Sequence, residues 1–188
     1  GLDVVRLKGG DPFIFGRGGE EMDALEAAGV PFEIVPGITT ASAVGAYTGV
    51  PLTHRAHACS LILTTGHLKD GTLDLDWQVL ARDRQTLVVY MGLAALPQVC
   101  AELIAHGLPA DTPGLVVQSA TTRAQRSVAA PLGELARKVA DAGLRSPALI
   151  VIGAVAGGYS GRSPQAASCI SRRRLAVRSN SKLPSPSL

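Results

Sequence analysis

Between a short apolar run, Val4-Val5-Arg6-Leu7, and a helix-forming stretch that starts near Glu20 lies Lys8-Gly9-Gly10-Asp11-Pro12-Phe13-Ile14-Phe15-Gly16-Arg17-Gly18-Gly19. This glycine loop constrains the fold more than any other segment. A strand that runs straight into two residues without side chains bares its backbone at the C-terminal edge of a sheet, where open α/β folds take their ligands. Glycine at that edge admits a flat ligand against the main chain, and a carboxylate such as Asp11 accepts hydrogen bonds from hydroxyl or ammonium groups. Arg17, held between glycines ahead of a helix, can reach an anion. The Gly-x-Gly-x-x-Gly spacing of dinucleotide sites is absent from the loop. Taken alone, the residues leave ligand loop and ordinary turn as open alternatives.

Downstream, helical and strand periods alternate. Helices are expected over 20–28, with Met22, Leu25 and Ala28 as the apolar stripe and Gly29 as the stop, and from Thr39 or Thr40 as a cap to about Tyr47. Further helices are expected over 77–81, 96–104 and 132–142. Strands are expected over 3–7, 32–35, 60–64, 86–90, 114–118, 125–130 and 148–152. This alternation predicts an α/β fold, and the 21 glycines among 188 residues suit its tight strand–helix turns. The pattern restarts near residues 50–56. Residues 1–52 are therefore expected to belong to an N-terminal α/β domain, 53–156 to a second α/β domain and 157–188 to a tail. The strand over 3–7 has nothing before it to pair with, which leads to the expectation that the N-terminal domain is incomplete and that sequence is missing upstream.

Charge is unevenly spread. The segment 157–188 holds six Arg and Lys, eight serines and no acid, so a whole-chain charge of +3 leaves −3 for the body. Nucleic-acid binding would rest on Arg172-Arg173-Arg174 in a tail without interleaved aromatics. A disordered basic tail is expected instead, with no nucleic-acid partner. No apolar run has membrane-spanning length, and no basic leader precedes an apolar stretch. Cys59, Cys100 and Cys169 stand far apart without metal-type spacing. No metal site is expected, Cys59 and Cys100 read as buried small apolar side chains, and the thiols suggest a reducing, cytoplasmic setting.

The run 5–21 resembles the signature of the tetrapyrrole methylases, and further segments agree in order: Val35-Pro36-Gly37-Ile38-Thr39-Thr40-Ala41-Ser42, Gly49-Val50-Pro51-Leu52-Thr53-His54-Arg55, Thr65-Gly66-His67-Leu68, Tyr90-Met91-Gly92-Leu93 and Ser146-Pro147-Ala148-Leu149-Ile150. The match spans about residues 2–153. Its extended Phe-Ile-Phe-Gly-Arg-Gly-Gly-Glu-Glu and Pro-Leu-Thr-His-Arg segments look like the uroporphyrinogen-III C-methyltransferase branch. The resemblance implies two α/β domains with a ligand cleft between them, S-adenosylmethionine as cofactor, S-adenosylhomocysteine as its product, a tetrapyrrole substrate and a homodimer. It implies cofactor contacts at Gly9, Gly10, Asp11, Ile14, Thr39, Thr40, Met91 and Ala120, and substrate contacts at Arg17, Glu20, Arg55 and Met91. Ala120 stands where the family has a glycine; a positive φ there would strain the loop. The implied reaction is C-methylation of uroporphyrinogen III to precorrin-2. A later precorrin methylase, or a fragment that binds without turnover, are the alternatives.

The resemblance also implies that the family's acid/base residues and a Gly-x-Gly-Pro-Gly-Asp loop lie upstream of Gly1. No catalytic residue is assigned here, and His54 reads as structural rather than as the base. After Gly153 a charged, aromatic strand is expected of the family, and the serine-rich tail departs from it.

Overall fold

A computed structural model describes residues 3–66, 73–159 and 161. His67 and Leu68 of one signature segment, Cys169, the arginine triplet and nearly all of the tail lie outside the described residues. The elements run α1 (Gly18–Ala27), α2 (Thr40–Thr48), β1 (Ser60–Thr65), α3 (Trp77–Leu80), β2 (Gln85–Tyr90), α4 (Leu96–Ala105), β3 (Pro113–Gln118), β4 (Arg126–Pro131), α5 (Leu132–Asp141), β5 (Ala148–Ile152) and a closing 3-10 turn (Ala154–Gly158).

The five strands form one mixed sheet in the order β1-β2-β5-β3-β4, with β1 and β2 parallel and the other pairs antiparallel. Two expected strands did not form. Residues 3–8 and 30–39 have no strand partner and are irregular. Val4 and Val5 are each 86% exposed and Val35 78%. A strand without a neighbour leaves its backbone donors and acceptors to water, so β-branched composition alone does not hold it.

β2 is buried along its whole length, and its alternation sorts the core into two layers. Leu87 and Val89 face the side covered by α4 and α5, joining Val99, Leu103, Leu135, Val116, Ile150 and Ile152. Val88 and Tyr90 face the other side, where α2 and the 3-10 turn bring Ala41, Val44, Val155 and Ala156 against Leu115, Val117, Leu149 and Val151. Helix α2 thus covers one face of the sheet although the two lie on either side of the expected boundary near residue 52. The division into two domains is our proposal for the chain's organisation.

Helix α5 shows how the outer layer is built. Leu132, Leu135 and Val139 are buried at helical spacing, while Glu134 pairs with Lys138 at 2.8 Å and Arg137 with Asp141 at 3.2 Å on the wet side. Its inner face meets β3 closely: a β-carbon on Gly114 would lie 2.6 Å from Leu135 Cδ2. Cys100 is buried in α4, and desolvation pushes its thiol up to about 11. Cys59 corrects the expectation, being exposed at the foot of β1 with its Sγ 3.7 Å from the Arg84 carbonyl.

Leu135 is fully buried with backbone close on one side, so its pocket cannot collapse freely. Leu135→Ala should therefore destabilise the chain by about 2–5 kcal/mol in urea unfolding. An exposed-face substitution such as Arg137→Ala should change it by no more than about 0.5 kcal/mol.

Candidate functional site

Strands β1, β2 and β3 point the same way, so their C-terminal ends share one edge of the sheet. That edge carries Gly66, Met91 and Ser119-Ala120. Tyr90 and Val117 both register with Leu149 across their partner strands. Met91 and Gln118 therefore stand level, about 10 Å apart at two strand spacings, with Ser119 one residue further on.

The glycine loop folds over this edge. Gly18 donates to the Pro12 carbonyl at 2.9 Å, and a β-carbon on Gly18 would come 2.5 Å from that same oxygen. Only a residue without a side chain lets the loop close so tightly before α1. Asp11 then ties the loop to the segment ahead of α2. Its Oδ1 accepts from the Phe13 N–H at 2.9 Å and its Oδ2 from the Gly37 N–H at 3.0 Å. Gly37 has no room for a side chain, since a β-carbon would collide with the Gly10 carbonyl. The amides of Gly37 and Phe13 hold the Asp11 carboxyl below the ordinary aspartate range, because both bond to its charged form.

Thr39 and Thr40 follow at the start of α2. Thr39 occupies the cap position but makes no bond to a helix amide, which corrects the expected role of its hydroxyl. That hydroxyl lies 2.6 Å from the Tyr90 hydroxyl, and the Tyr90 oxygen also accepts the Ala41 N–H at 3.0 Å. The Tyr90 ring packs against Phe15 of the glycine loop, centroids 4.7 Å apart. Ile14 and Ala120 sit half-buried against the same apolar layer. Gly9 and Gly10 are exposed, with no atom within 4 Å of a β-carbon placed on Gly9. No described side chain comes within 4 Å of a β-carbon placed on either glycine.

Backbone strain concentrates here. Phe15, Arg17, Met91, Ser119 and Thr121 hold φ of 53°, 57°, 52°, 47° and 69°, while Arg84, at the opposite edge, is the remaining described non-glycine with positive φ. Each such residue costs on the order of 1 kcal/mol, and such strain gathers at ligand sites. Ala120 is absent from that set. Its φ is not positive; the residues on either side carry the strain, so alanine in place of glycine is tolerated.

The residues expected to meet a substrate separate. Arg17 reaches the Glu20 carboxylate through Nε at 2.9 Å and also through Nη2, on the exposed start of α1. This pairing lowers the Glu20 carboxyl from its ordinary value and raises the Arg17 guanidinium. Beside them Lys8 pairs with Glu21 at 2.8 Å, holding that carboxyl low as well. Arg55 lies elsewhere. It sits in the turn closed by the His54–Ala58 bridge, next to Cys59, whose N–H bonds the Arg84 carbonyl at 3.0 Å. That turn is at the N-terminal ends of β1 and β2, about 17 Å of strand away from Met91. The structure brings Gly10, Asp11, Thr39 and Met91 to one edge and leaves Arg55 on the other. His54 stacks on His57 at 4.6 Å in the same distant turn.

Tyr90 was not among the residues expected from sequence. Its signal was available, since a tyrosine ending a buried strand needs a partner for its hydroxyl, but the residue reads equally as core.

Together these features define an α/β domain with a strained, glycine-lined candidate ligand edge built on the ends of three co-directional strands. The model of the Tetrapyrrole (Corrin/Porphyrin) Methylases matches residues 1–136, and the chain belongs to this family. A siroheme synthase from Methylococcus capsulatus is 61% identical over 158 residues, covering 84% of this chain and 33% of the relative. The native form of uroporphyrin III C-methyl transferase from Thermus thermophilus is 43% identical with a TM-score of 0.71, over 81% of this chain and 63% of that one. The same enzyme has been solved in complex with S-adenyl homocysteine, with a TM-score of 0.70 over 66% of that chain. A cobalt precorrin-4 methyltransferase is 30% identical with a TM-score of 0.75, over 81% of this chain and 64% of that one. The chain spans about one third of the length of the curated relatives it matches.

The Asp11 bridge yields a pH prediction. Its carboxyl is depressed in the folded state, so the bridge is in place above the ordinary value of 3.8 and is lost as pH falls through the lower folded value. The Gly37 and Phe13 amide resonances should titrate together with a midpoint below 3.8. In Asp11→Asn both should stay flat across that range. A shared midpoint at or above 3.8 would contradict the bridge.

Proposed function

We propose that this chain is the methyl-transfer portion of a uroporphyrinogen-III C-methyltransferase, acting with S-adenosylmethionine to give precorrin-2 on the route to sirohaem or cobalamin. The observation that carries this reading is the meeting of the Asp11 loop, Thr39 and Met91 around Tyr90 at one sheet edge. Those residues suit a nucleoside with an amino-acid tail. The bare backbone at Gly9 and Gly10 leaves room for a flat group, the Thr39 and Thr40 hydroxyls offer donors, and Asp11 is charged and fixed. Ile14, Met91 and Ala120 supply apolar contact at the rim. When bound, S-adenosylmethionine supplies an electrophilic methyl group on a sulfonium centre.

The chain's task in such a reaction is placement. A pyrrole carbon has to approach the methyl in line, and holding two reactants in that geometry accounts for much of the acceleration. Arg17 faces solvent beside the edge, where it can hold an acetate or propionate carboxylate of the substrate by exchanging its bond to Glu20. Arg55 has no reach to that edge within one chain. It keeps a substrate role only by way of a second copy, in the homodimer that this reading includes. The two free cysteines among the described residues fit a reducing compartment, in keeping with a cytoplasmic protein. No helix among the described residues is long and apolar enough to cross a membrane.

A second reading, ligand binding without turnover, is favoured by the distance of Arg55 from the edge. The two separate by experiment. S-adenosylhomocysteine should bind the chain with measurable heat in isothermal titration, and incubation with S-adenosylmethionine and uroporphyrinogen III should give a product heavier by two methyl groups. Binding without that product favours the second reading, and no binding contradicts both. If turnover is seen, Arg17→Ala should raise KM for uroporphyrinogen about tenfold, the worth of one charge-assisted hydrogen bond, and leave S-adenosylhomocysteine affinity unchanged.

A further inference from the structure

We propose that Tyr90 is a positioning residue of the ligand edge, whose hydroxyl turns the Thr39 hydroxyl into a hydrogen-bond donor aimed at the bound molecule. The inference rests on the methyl-transfer reading, which makes Thr39 a ligand contact, and deepens it by naming what orients that contact.

Three bonds follow one another. The Ala41 N–H has one acceptor in reach, the Tyr90 oxygen, at 3.0 Å. The Tyr90 and Thr39 oxygens are 2.6 Å apart, so one hydroxyl donates to the other. A phenol is a stronger acid than an aliphatic alcohol and the better donor. With the Ala41 amide already pointing at the phenol oxygen, the phenolic hydrogen goes to Thr39 Oγ1. Thr39 then acts as acceptor towards Tyr90 and keeps its own hydrogen to give away. Hydrogen bonds arranged head to tail strengthen one another, so accepting from Tyr90 makes Thr39 a better donor.

The outgoing hydrogen is not used by the helix. Thr39 has extended backbone, φ −63° and ψ 149°, and its side chain caps no amide of α2. The cap duty is done from the end of β2 by Tyr90, through Ala41. Thr39 is half-buried while Tyr90 is 9% exposed, so the chain of bonds runs from the interior to the surface of the edge. Tyr90 also carries Phe15 on its ring and leads directly into Met91 at φ 52°. One side chain therefore sets three segments of the edge: the glycine loop, the start of α2 and the Met91 turn. The molecule bound there must present an acceptor, such as a ring nitrogen or a carboxylate oxygen, to Thr39.

The test is calorimetry of the full chain with S-adenosylhomocysteine, together with thermal melts of each variant. Tyr90→Phe and Thr39→Val should each weaken binding about tenfold, the worth of one hydrogen bond. The double variant should bind no more weakly than Thr39→Val alone, because Tyr90 acts through Thr39. A purely structural Tyr90 would lower the melting temperature without this coupling. Affinity of Tyr90→Phe within twofold of the unsubstituted chain overturns the inference and leaves the methyl-transfer reading standing, and so do two losses that multiply in the double variant. No binding by the unsubstituted chain overturns the reading and the inference with it. Should Tyr90→Phe fail to fold, Thr39→Val decides: a tenfold loss supports the donor role of Thr39, and affinity within twofold of the unsubstituted chain overturns the inference.

Discussion

The burial of β2 on both faces is the constraint from which the rest follows. Its residues Gln85–Tyr90 admit no exposed side, so helices must cover the sheet above and below. Helices α4 and α5 meet one requirement, and α2 with the 3-10 turn meets the other. Because α2 is held down by Ala41 and Val44 against the sheet, its N-terminus is brought to the end of β2. There the strand's last residue, Tyr90, finds Thr39 and Ala41 with its hydroxyl. The proposed ligand edge is thus a by-product of core packing: the strand that anchors the hydrophobic layers also ends in the side chain that joins the glycine loop and the start of α2.

Stability and site pull against each other at that edge. The core strands are regular and the helices follow ordinary periodicity, while the residues just past the strand ends hold left-handed backbone at Met91, Ser119 and Thr121. Hydrogen bonds of local origin offset this cost. Asp11 joins segments 26 residues apart, and Gln125 accepts the Thr121 N–H at 2.8 Å. Such bonds hold the edge in place from several segments, as the proposed methyl-transfer site needs.

The sheet and its helices were legible because their periods are strong. The apolar run 148–152 is the strand observed, and the stripe from Leu96 to Leu103 is the inner face of α4. The N-terminal strands were misread for a physical reason. Val4, Val5 and Ile34 have strand composition, but a strand is a relation between segments, and no partner pairs with 3–8 or 30–39 among the described residues. Cys59 was misplaced because a small apolar residue at a strand's foot can face either way. The glycine loop stood out as a candidate ligand loop only beside the other family segments, since its residues alone fit an ordinary turn equally well. Tyr90 left no trace beyond its position, because its role arises from a helix start 49 residues away in sequence. Arg55 sits in a recognisable motif, yet motif order says nothing of which sheet edge a turn occupies.

The central claim is that one edge of the sheet, at the ends of β1, β2 and β3, is where the ligand sits. The most direct measurement is a titration of isotopically labelled chain with S-adenosylhomocysteine, followed residue by residue through backbone amide resonances. The amides of Gly10, Gly37, Thr40, Met91 and Ser119 should shift together along one binding curve, while those of Arg55, Cys59 and Arg84 at the opposite edge stay still. Shifts confined to the Arg55 and Arg84 edge, or none at saturating ligand, would contradict the claim.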